Sequence, residues 1–425
     1  MSERSDQAGR LKSQRRAIVL IIDGCGIGAA PDAGEFGDGP DCNTLANVAR
    51  AVGGLKLPNL ARLGLGNIAP IEGAPPAQRP SGYFGKLKEA SRGKDTQTGH
   101  WELMGLVSQQ AFPLYPNGFP REVIDRFIAE TGCKGVLANK PASGTKILEE
   151  LGEEHQRTGF PIVYTSGDSV FQIACHVDTV PLTTLYRWSK IARGILQDPH
   201  RVGRVIARPF AGIAGNYQRL GGDRRDYSVP PPAATLLDNL LSTGSGVLGI
   251  GKIEDIFDKQ GISHAVHTGS NRQGLELTLS AVQSRLDLKP LSIVDGAPDT
   301  VRFIFTNLVD TDMLYGHRRD VTGYARALVE IDEWLARLCE SMDENDILVI
   351  SSDHGNDPTA PGTDHTREFV PVLTYSPALA GCAPDALDLG TRSGFVDVAA
   401  SLAAWFGLDW PGPGISYIPE LSKVG

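Results

Sequence analysis

At 425 residues, with 41% apolar and 21% charged side chains, the chain has a globular composition and is too long for one ordinary core, so a large domain with a smaller one is expected. A net charge of −9 argues against a general nucleic-acid surface, and no apolar run approaches the roughly 18 residues that span a bilayer. Six cysteines without a C-x-x-C pair fit reduced thiols in a cytoplasmic protein better than a disulfide framework or a zinc knuckle.

Residues 1–14 are polar and read as a disordered N-terminal extension. "AIVLII" (17–22) follows the basic Arg15 and Arg16 but stops after six residues at Asp23, with no cleavage signature; it is predicted to be a buried strand rather than a signal peptide. The next segment, "GCGIGA", fits the dinucleotide fingerprint G-x-G-x-x-A. Pro31 and further glycines then stand where that fingerprint needs a sustained helix, so a nucleotide-binding site is not expected there.

"GKDTQTGHWE" (93–102) carries no steady helix or strand period. A threonine hydroxyl is a weak nucleophile until something takes its proton or coordinates its oxygen. Thr96 and Thr98 both qualify, and spacing does not choose between them. His100 either orients a neighbour or packs beside Trp101, and a helix starting near Thr98 would add an anion site.

From about 110 to 230 the pattern changes to polar helical pieces ("REVIDRFIAE", "GTKILEELGEEHQ") and strand-like runs ("FPIVYTS", "FQIACHV", "RVIARPF"), ending at "YSVPPP". The expected division is a core of residues 15–108 and 232–425 with an inserted domain of residues 109–231. Within the insert, Arg204, Arg208 and Arg219 could clamp a phosphate, and Ser166 and Asp168 could bond sugar hydroxyls. Lys252, in "GIGKIEDIF", is a further phosphate candidate.

"VRFIFTNLV" (301–309), "DILVISS" (346–352) and "VPVLTY" (370–375) complete a set of nearly continuous apolar runs suited to a parallel sheet covered on both faces. Between the first two, Leu328, Ile331, Leu335, Leu338 and Met342 form a helical stripe, giving the strand–helix–strand crossover of an α/β fold.

Three of these strands run into aspartates: Asp23, then Asp310 with Asp312, then Asp353. Ligands of open α/β sheets gather outside the carboxyl ends of the strands, so these acids converge. His317 follows Asp312, and His354 and His365 share "SSDHGNDPTAPGTDHTRE" with Asp353, Asp357 and Asp364. Carboxylate and imidazole without cysteine suit Mn²⁺, Zn²⁺ or Mg²⁺, and the whole set predicts a two-metal site able to hold a phosphoryl group and activate a threonine.

Taken in order, "IDGCGIGAAPDA", "GKDTQTGHWELMG", "RVIARPF", "DYSVPPP", "GIGKIEDIF", "NLVDTDMLYGHRRD" and "SSDHGNDPTAPGTDHTREFVPVL" resemble the phosphopentomutase family of the alkaline phosphatase superfamily. The resemblance covers nearly the whole chain from about residue 16. It implies an alkaline-phosphatase-like α/β core, with a largely parallel central sheet flanked by helices and a smaller α/β cap inserted. It implies Thr96 as the phosphorylated nucleophile, one metal on Asp312, His317 and His365, and another on Asp23, Asp353, His354 and the Thr96 oxygen. Mn²⁺ is the implied metal, and a sugar bisphosphate the implied primer. Substrate contacts are implied at Ser166, Asp168, Arg204, Arg219 and Lys252. The partners would be small pentose phosphates, with no nucleic acid, membrane or obligatory protein partner. "LGGDRRDY" after Arg219 departs from the family's pattern.

Overall fold

The computed structural model describes residues 15–166, 169–379 and 387–418. The expected extension (1–14) and Asp168 lie outside the described residues. The chain divides into two compact units, Met1–Gln110 with Pro231–Gly425, and Ala111–Pro230.

The first unit opens with β1 (Arg16–Ile22) and β2 (Tyr83–Leu87). The second unit carries β3 (Leu137–Pro141), β4 (Ile162–Thr165), β5 (Val170–His176), β6 (Arg204–Ile213), β7 (Asn216–Arg219) and β8 (Arg225–Ser228). The first unit resumes with β9 (Gly246–Ile250), β10 (His264–Val266), β11 (Val301–Leu308), β12 (Asp346–Ser351), β13 (Val370–Tyr375) and β14 (Asp388–Arg392).

In the first unit the strands form one sheet in the order β10-β9-β11-β1-β12-β13-β2-β14. β1 lies at its centre because "AIVLII" can bury both faces, and Ala17 to Ile21 are fully buried. Its pairings with β11 and β12 are parallel and in step, Ile22 opposite Leu308 and Ile21 opposite Ser351. The three strands therefore end on one line. The sheet is largely parallel, but β13 is antiparallel to both β12 and β2. The expectation that "VPVLTY" continues the parallel set is thus corrected. Its apolar run reports burial on both faces, which carries no information about direction.

The predicted crossover helix spans Val321–Glu340, capped by Asp320, whose carboxylate accepts the Gly323 N–H at 2.9 Å. Leu328, Ile331, Leu335 and Leu338 are fully buried in the core, each worth about 1.5–3 kcal/mol by area burial. No helix follows "GCGIGA": after a single 3₁₀ turn at Ala33–Phe36, the first α-helix is Thr44–Ala51. The dinucleotide fingerprint lacks its helix, as the prolines and glycines require.

The second unit is a smaller α/β body. Its sheet runs β3-β4-β5-β6-β7, with β8 also on β6. Helices Arg121–Thr131 and Leu182–Ile195 pack over Phe119, Phe171 and Val205, while Gly144–Thr158 covers Tyr164, Ala174 and Phe210. Among the described residues, no helix is long and apolar enough to cross a membrane, and the five described cysteines are all free and buried.

Candidate metal centre

The carboxyl ends of β1, β11 and β12 deliver Asp23, Asp312 and Asp353 to one rim, and all three are buried. Asp312 does not leave its strand by a simple turn. It sits in a π-helical turn, Thr311–Gly316, the kind of local insertion that recurs at functional sites. The Thr311 hydroxyl locks that turn to the Asp23 carbonyl at 2.7 Å.

The histidines close the cluster. His317 Nε2 lies 3.3 Å from Asp312 Oδ2, His365 Nε2 lies 3.3 Å from Asp312 Oδ1, and the two Nε2 atoms are 3.2 Å apart. His354 Nε2 lies 3.5 Å from Asp23 Oδ1 and 3.3 Å from Asp353 Oδ2. The His354 ring stacks on His365 at 3.8 Å, so it stands between the two groups. Indeed Asp312, His354 and His365, and separately Asp23, Asp353 and His354, bring their ligand atoms within 4.8 Å of one another.

These residues fit divalent cations. His354 Nδ1 donates to the Gly355 carbonyl at 3.1 Å and His317 Nδ1 to the Thr363 carbonyl at 2.7 Å, since a carbonyl can only accept. Each ring is thereby fixed with its Nε2 lone pair aimed inward, the tautomer a metal ligand needs. Asp23 Oδ1 is buried and accepts no hydrogen bond. An orphaned carboxylate oxygen of that kind is costly unless something positive faces it.

The electrostatics agree. Burial, followed by the neighbouring Asp353 and Asp312 carboxylates, pushes the Asp23 carboxyl well above its usual range, with Lys252 opposing. Burial would raise Asp353 too, but His354 and His100 hold it at about 2. Against the same burial, His317 and His365 keep Asp312 well below the carboxylate range. Burial lowers His354. Buried carboxylates and imidazoles gathered in this way suit a divalent cation.

Thr96 reaches the rim from another direction. "GKDTQTGHWE" forms a helix, Thr96–Leu103, starting two residues earlier than expected, with Asp95 as its cap. Residues Gln97 to Leu103 are all buried, which is why no amphipathic stripe marks it in the sequence. Asp95 accepts from the Thr98 N–H at 3.1 Å and from the Thr98 hydroxyl at 2.6 Å. Thr98 is committed to capping, whereas Thr96 Oγ1 faces His354 Nε2 at 3.2 Å. Gly99 permits the contact: a side chain there would overlap the Asp353 carbonyl oxygen.

His100 is buried and acts on this arrangement. Its Nδ1 donates to the Thr96 carbonyl at 2.8 Å and lies 3.2 Å from Asp353 Oδ2, while Nε2 faces the Asn307 amide at 3.3 Å. Asn307 Nδ2 also donates to Asp23 Oδ2 at 2.8 Å, and Asn356 Nδ2 to Asp312 Oδ1 at 2.6 Å. Sequence reasoning missed both asparagines because it sought ligands. The available signal was a polar residue inside the apolar "VRFIFTNLV" and another in "DHGND".

The remaining candidates separate. Lys252 is half-buried in the first unit and its charge acts on Asp23. Ser166, Arg204 and Arg219 belong to the second unit. Arg204 Nη1 lies 3.7 Å from Asp226 Oδ2, and Arg219 is exposed on β7. Arg208, nearly buried, is lowered to about 10 by desolvation, with Arg224 and Arg219 adding to it. The unusual "LGGDRRDY" contributes Arg224, paired with Asp226 by two short hydrogen bonds of 2.7 and 2.5 Å. Neither Arg224 nor Asp226 was a sequence candidate.

The comparisons agree with this chemistry. A family model for the metalloenzyme superfamily matches residues 15–410. The phosphopentomutases of Anaeromyxobacter sp. (strain K), Caldanaerobacter subterraneus subsp. tengcongensis and Carboxydothermus hydrogenoformans are 50%, 50% and 49% identical over 409, 414 and 409 residues. These alignments cover 96%, 97% and 96% of this chain and 100%, 99% and 100% of those proteins. On residues shared along nearly its full length, the chain belongs to the phosphopentomutase family of the metalloenzyme superfamily, and is a phosphate-transferring mutase acting on pentose phosphates.

Proposed function

We propose that this enzyme interconverts α-D-ribose 1-phosphate and D-ribose 5-phosphate, and the 2-deoxyribose pair, through a phosphothreonine at Thr96 and a sugar bisphosphate, in the cytoplasm. The observation that carries the reading is Thr96 Oγ1 at 3.2 Å from His354 Nε2, on a rim of converging acids. One divalent ion would be held by Asp312, His317 and His365, another by Asp23, Asp353 and His354 beside the Thr96 oxygen; the family resemblance favours Mn²⁺. Such ions supply positive charge against phosphoryl oxygens and ease the ionisation of a hydroxyl.

The side chains do the positioning. The Thr98 hydroxyl is held by Asp95, which leaves Thr96 as the group free to carry phosphate. His100 fixes the Thr96 carbonyl, and with it the first turn of the helix. In the forward direction the Thr96 Oγ1–P bond breaks as a bond forms from phosphorus to the free 5-hydroxyl oxygen of ribose 1-phosphate. The proton lost by that hydroxyl balances the charge left on Thr96. The bisphosphate turns over and returns its 1-phosphoryl group to Thr96. A sugar bisphosphate primer loads the first phosphate. Arg204, Arg219 and Lys252 are assigned to the substrate phosphate, where the planar guanidinium matches a phosphate face, and Ser166 and Asp168 to the sugar hydroxyls.

Side-by-side assays on ribose 1-phosphate, 3-phosphoglycerate and a generic phosphate ester test the substrate class. Isomerisation of the ribose phosphate alone is expected. Strong phosphate release without isomerisation would overturn the mutase assignment. Thr96→Ala is expected to lower kcat by about 10³-fold or more while leaving metal content near normal, and to show no phosphate gain by intact mass after priming.

A further inference from the structure

Arg367 stands two residues after His365 and outside the metal cluster. Its side chain is 2% exposed, so its charge must be answered internally. The answer is complete. Nε donates to Asp32 Oδ1 at 3.4 Å, Nη2 to Asp32 Oδ2 at 3.0 Å and to the Glu89 carbonyl at 2.7 Å. Nη1 donates to Glu89 Oε2 and to the Gly93 carbonyl, both at 2.5 Å. All five N–H groups of the guanidinium are thereby used. Phe36 lies beneath the guanidinium, 4.5 Å from ring centre to carbon. The Arg367 backbone N–H donates to Asp38 Oδ2 at 2.7 Å, and the same carboxylate takes Lys94 Nζ at 3.1 Å.

These partners come from three of the four segments that build the catalytic rim. Asp32, Phe36 and Asp38 follow Asp23. Glu89, Gly93 and Lys94 lead into Thr96. Arg367 continues the segment bearing His365. The approach to Thr96 has little slack, since a Cβ on Gly93 would stand 2.8 Å from Thr98 Oγ1. We propose that Arg367 is a positioning residue for phosphoryl transfer: its planar fork ties the Gly93–Asp95 approach to the segments bearing Asp23 and His365, and so fixes where Thr96 Oγ1 sits on the rim.

A bland alternative is charge neutralisation of Glu89 and Asp32, for which any cation would serve. Arg367→Lys separates the two, because an ammonium keeps the charge but radiates three donors from one atom and cannot span five acceptor directions. In the metal-loaded, full-length Arg367→Lys enzyme, kcat for ribose 5-phosphate is expected to fall by about 100-fold, the effect of roughly 1 Å of misplacement, with KM within about 3-fold. Metal content is expected to stay near the parent value, while the thermal midpoint falls because buried acceptors lose their donors. A kcat within about 3-fold of the parent would overturn the proposal.

If Arg367→Lys does not fold, Asp32→Asn decides, since Asp32 lies at the more exposed end, with 21% of its side chain accessible. Asparagine turns one of the two acceptors that face Nε and Nη2 into a donor. A drop in kcat of about 5-fold or more at unchanged metal content is expected, and no drop would overturn the proposal. The inference rests on Thr96 as the phosphate carrier. An isomerising parent enzyme with no phosphate on Thr96 by peptide mass would overturn both readings. A phosphorylated parent with an unimpaired Arg367→Lys variant would overturn the positioning role alone.

Discussion

Asn356 binds no substrate in the proposed scheme, yet its amide holds Asp312 Oδ1 at 2.6 Å and so decides which carboxylate lone pair faces the histidines. Partners of this type typically carry 10- to 100-fold in metal affinity, on the order seen for outer contacts of metal ligands. Asn356→Ala is therefore expected to lose metal on dialysis at roughly 10-fold higher free concentration than the parent, and to recover most of its kcat when metal is saturating. Full occupancy after the same dialysis would show that Asp312 needs no such support. The contrast with the ligands explains what the sequence can reveal. An aspartate that ends an apolar strand advertises itself, because the strand fixes where it arrives. An asparagine three residues along a loop is visible only after the loop is folded. Arg204 shows the same limit: its chemistry is legible, but its acceptor Asp226 and the neighbour Arg224 come from a segment that gave no period to read.

The Thr96–Leu103 helix and the crossover helix Val321–Glu340 lie at opposite ends of legibility. The second has one buried face and one wet face, so its stripe gives away both its type and its orientation. The first is buried around its circumference, and the same pattern search finds nothing. Its identity rests on a cap, Asp95, and on small residues that let it approach the sheet. Gly99 is the closest approach. Gly99→Ala would drive a methyl group into the Asp353 backbone, which cannot rotate away as a side chain would. The expected outcome is a folded enzyme whose kcat falls by about 100-fold, because the helix must lift and carry Thr96 away from His354. Circular dichroism and kcat measured on the same preparation check this; parental activity would mean the helix yields without moving Thr96. Strand direction was the other loss at this scale. β13 was found by its apolar run, but pairing partners set its antiparallel sense.

Across the whole molecule, the two-part division follows from composition, and the rim follows from three strand ends. The rim also concentrates carboxylates in the interior of the first unit. Without cations, Asp23, Asp353 and Asp312 face one another with little solvent to screen them. Bound metal at about 100 times its Kd would add roughly 2.7 kcal/mol per site. Chelation is expected to lower the thermal midpoint by about 5 °C or more, given roughly 2–4 °C per kcal/mol for units of this size. Amide exchange is expected to rise around residues 23–28, 310–317 and 353–365 and to stay unchanged across Ala111–Pro230. Uniform exchange changes, or none, would place the ions elsewhere.

The order of strands across the central sheet bears on how the protein is made. β1 leaves the ribosome first, yet both its neighbours, β11 and β12, are encoded roughly 300 residues later. His365 follows Asp23 by 342 residues. The growing chain must shelter this apolar strand until β11 and β12 have been made. Pairing over such separations is slow, and the rim of acids and imidazoles assembles only once both ends of that span have been made.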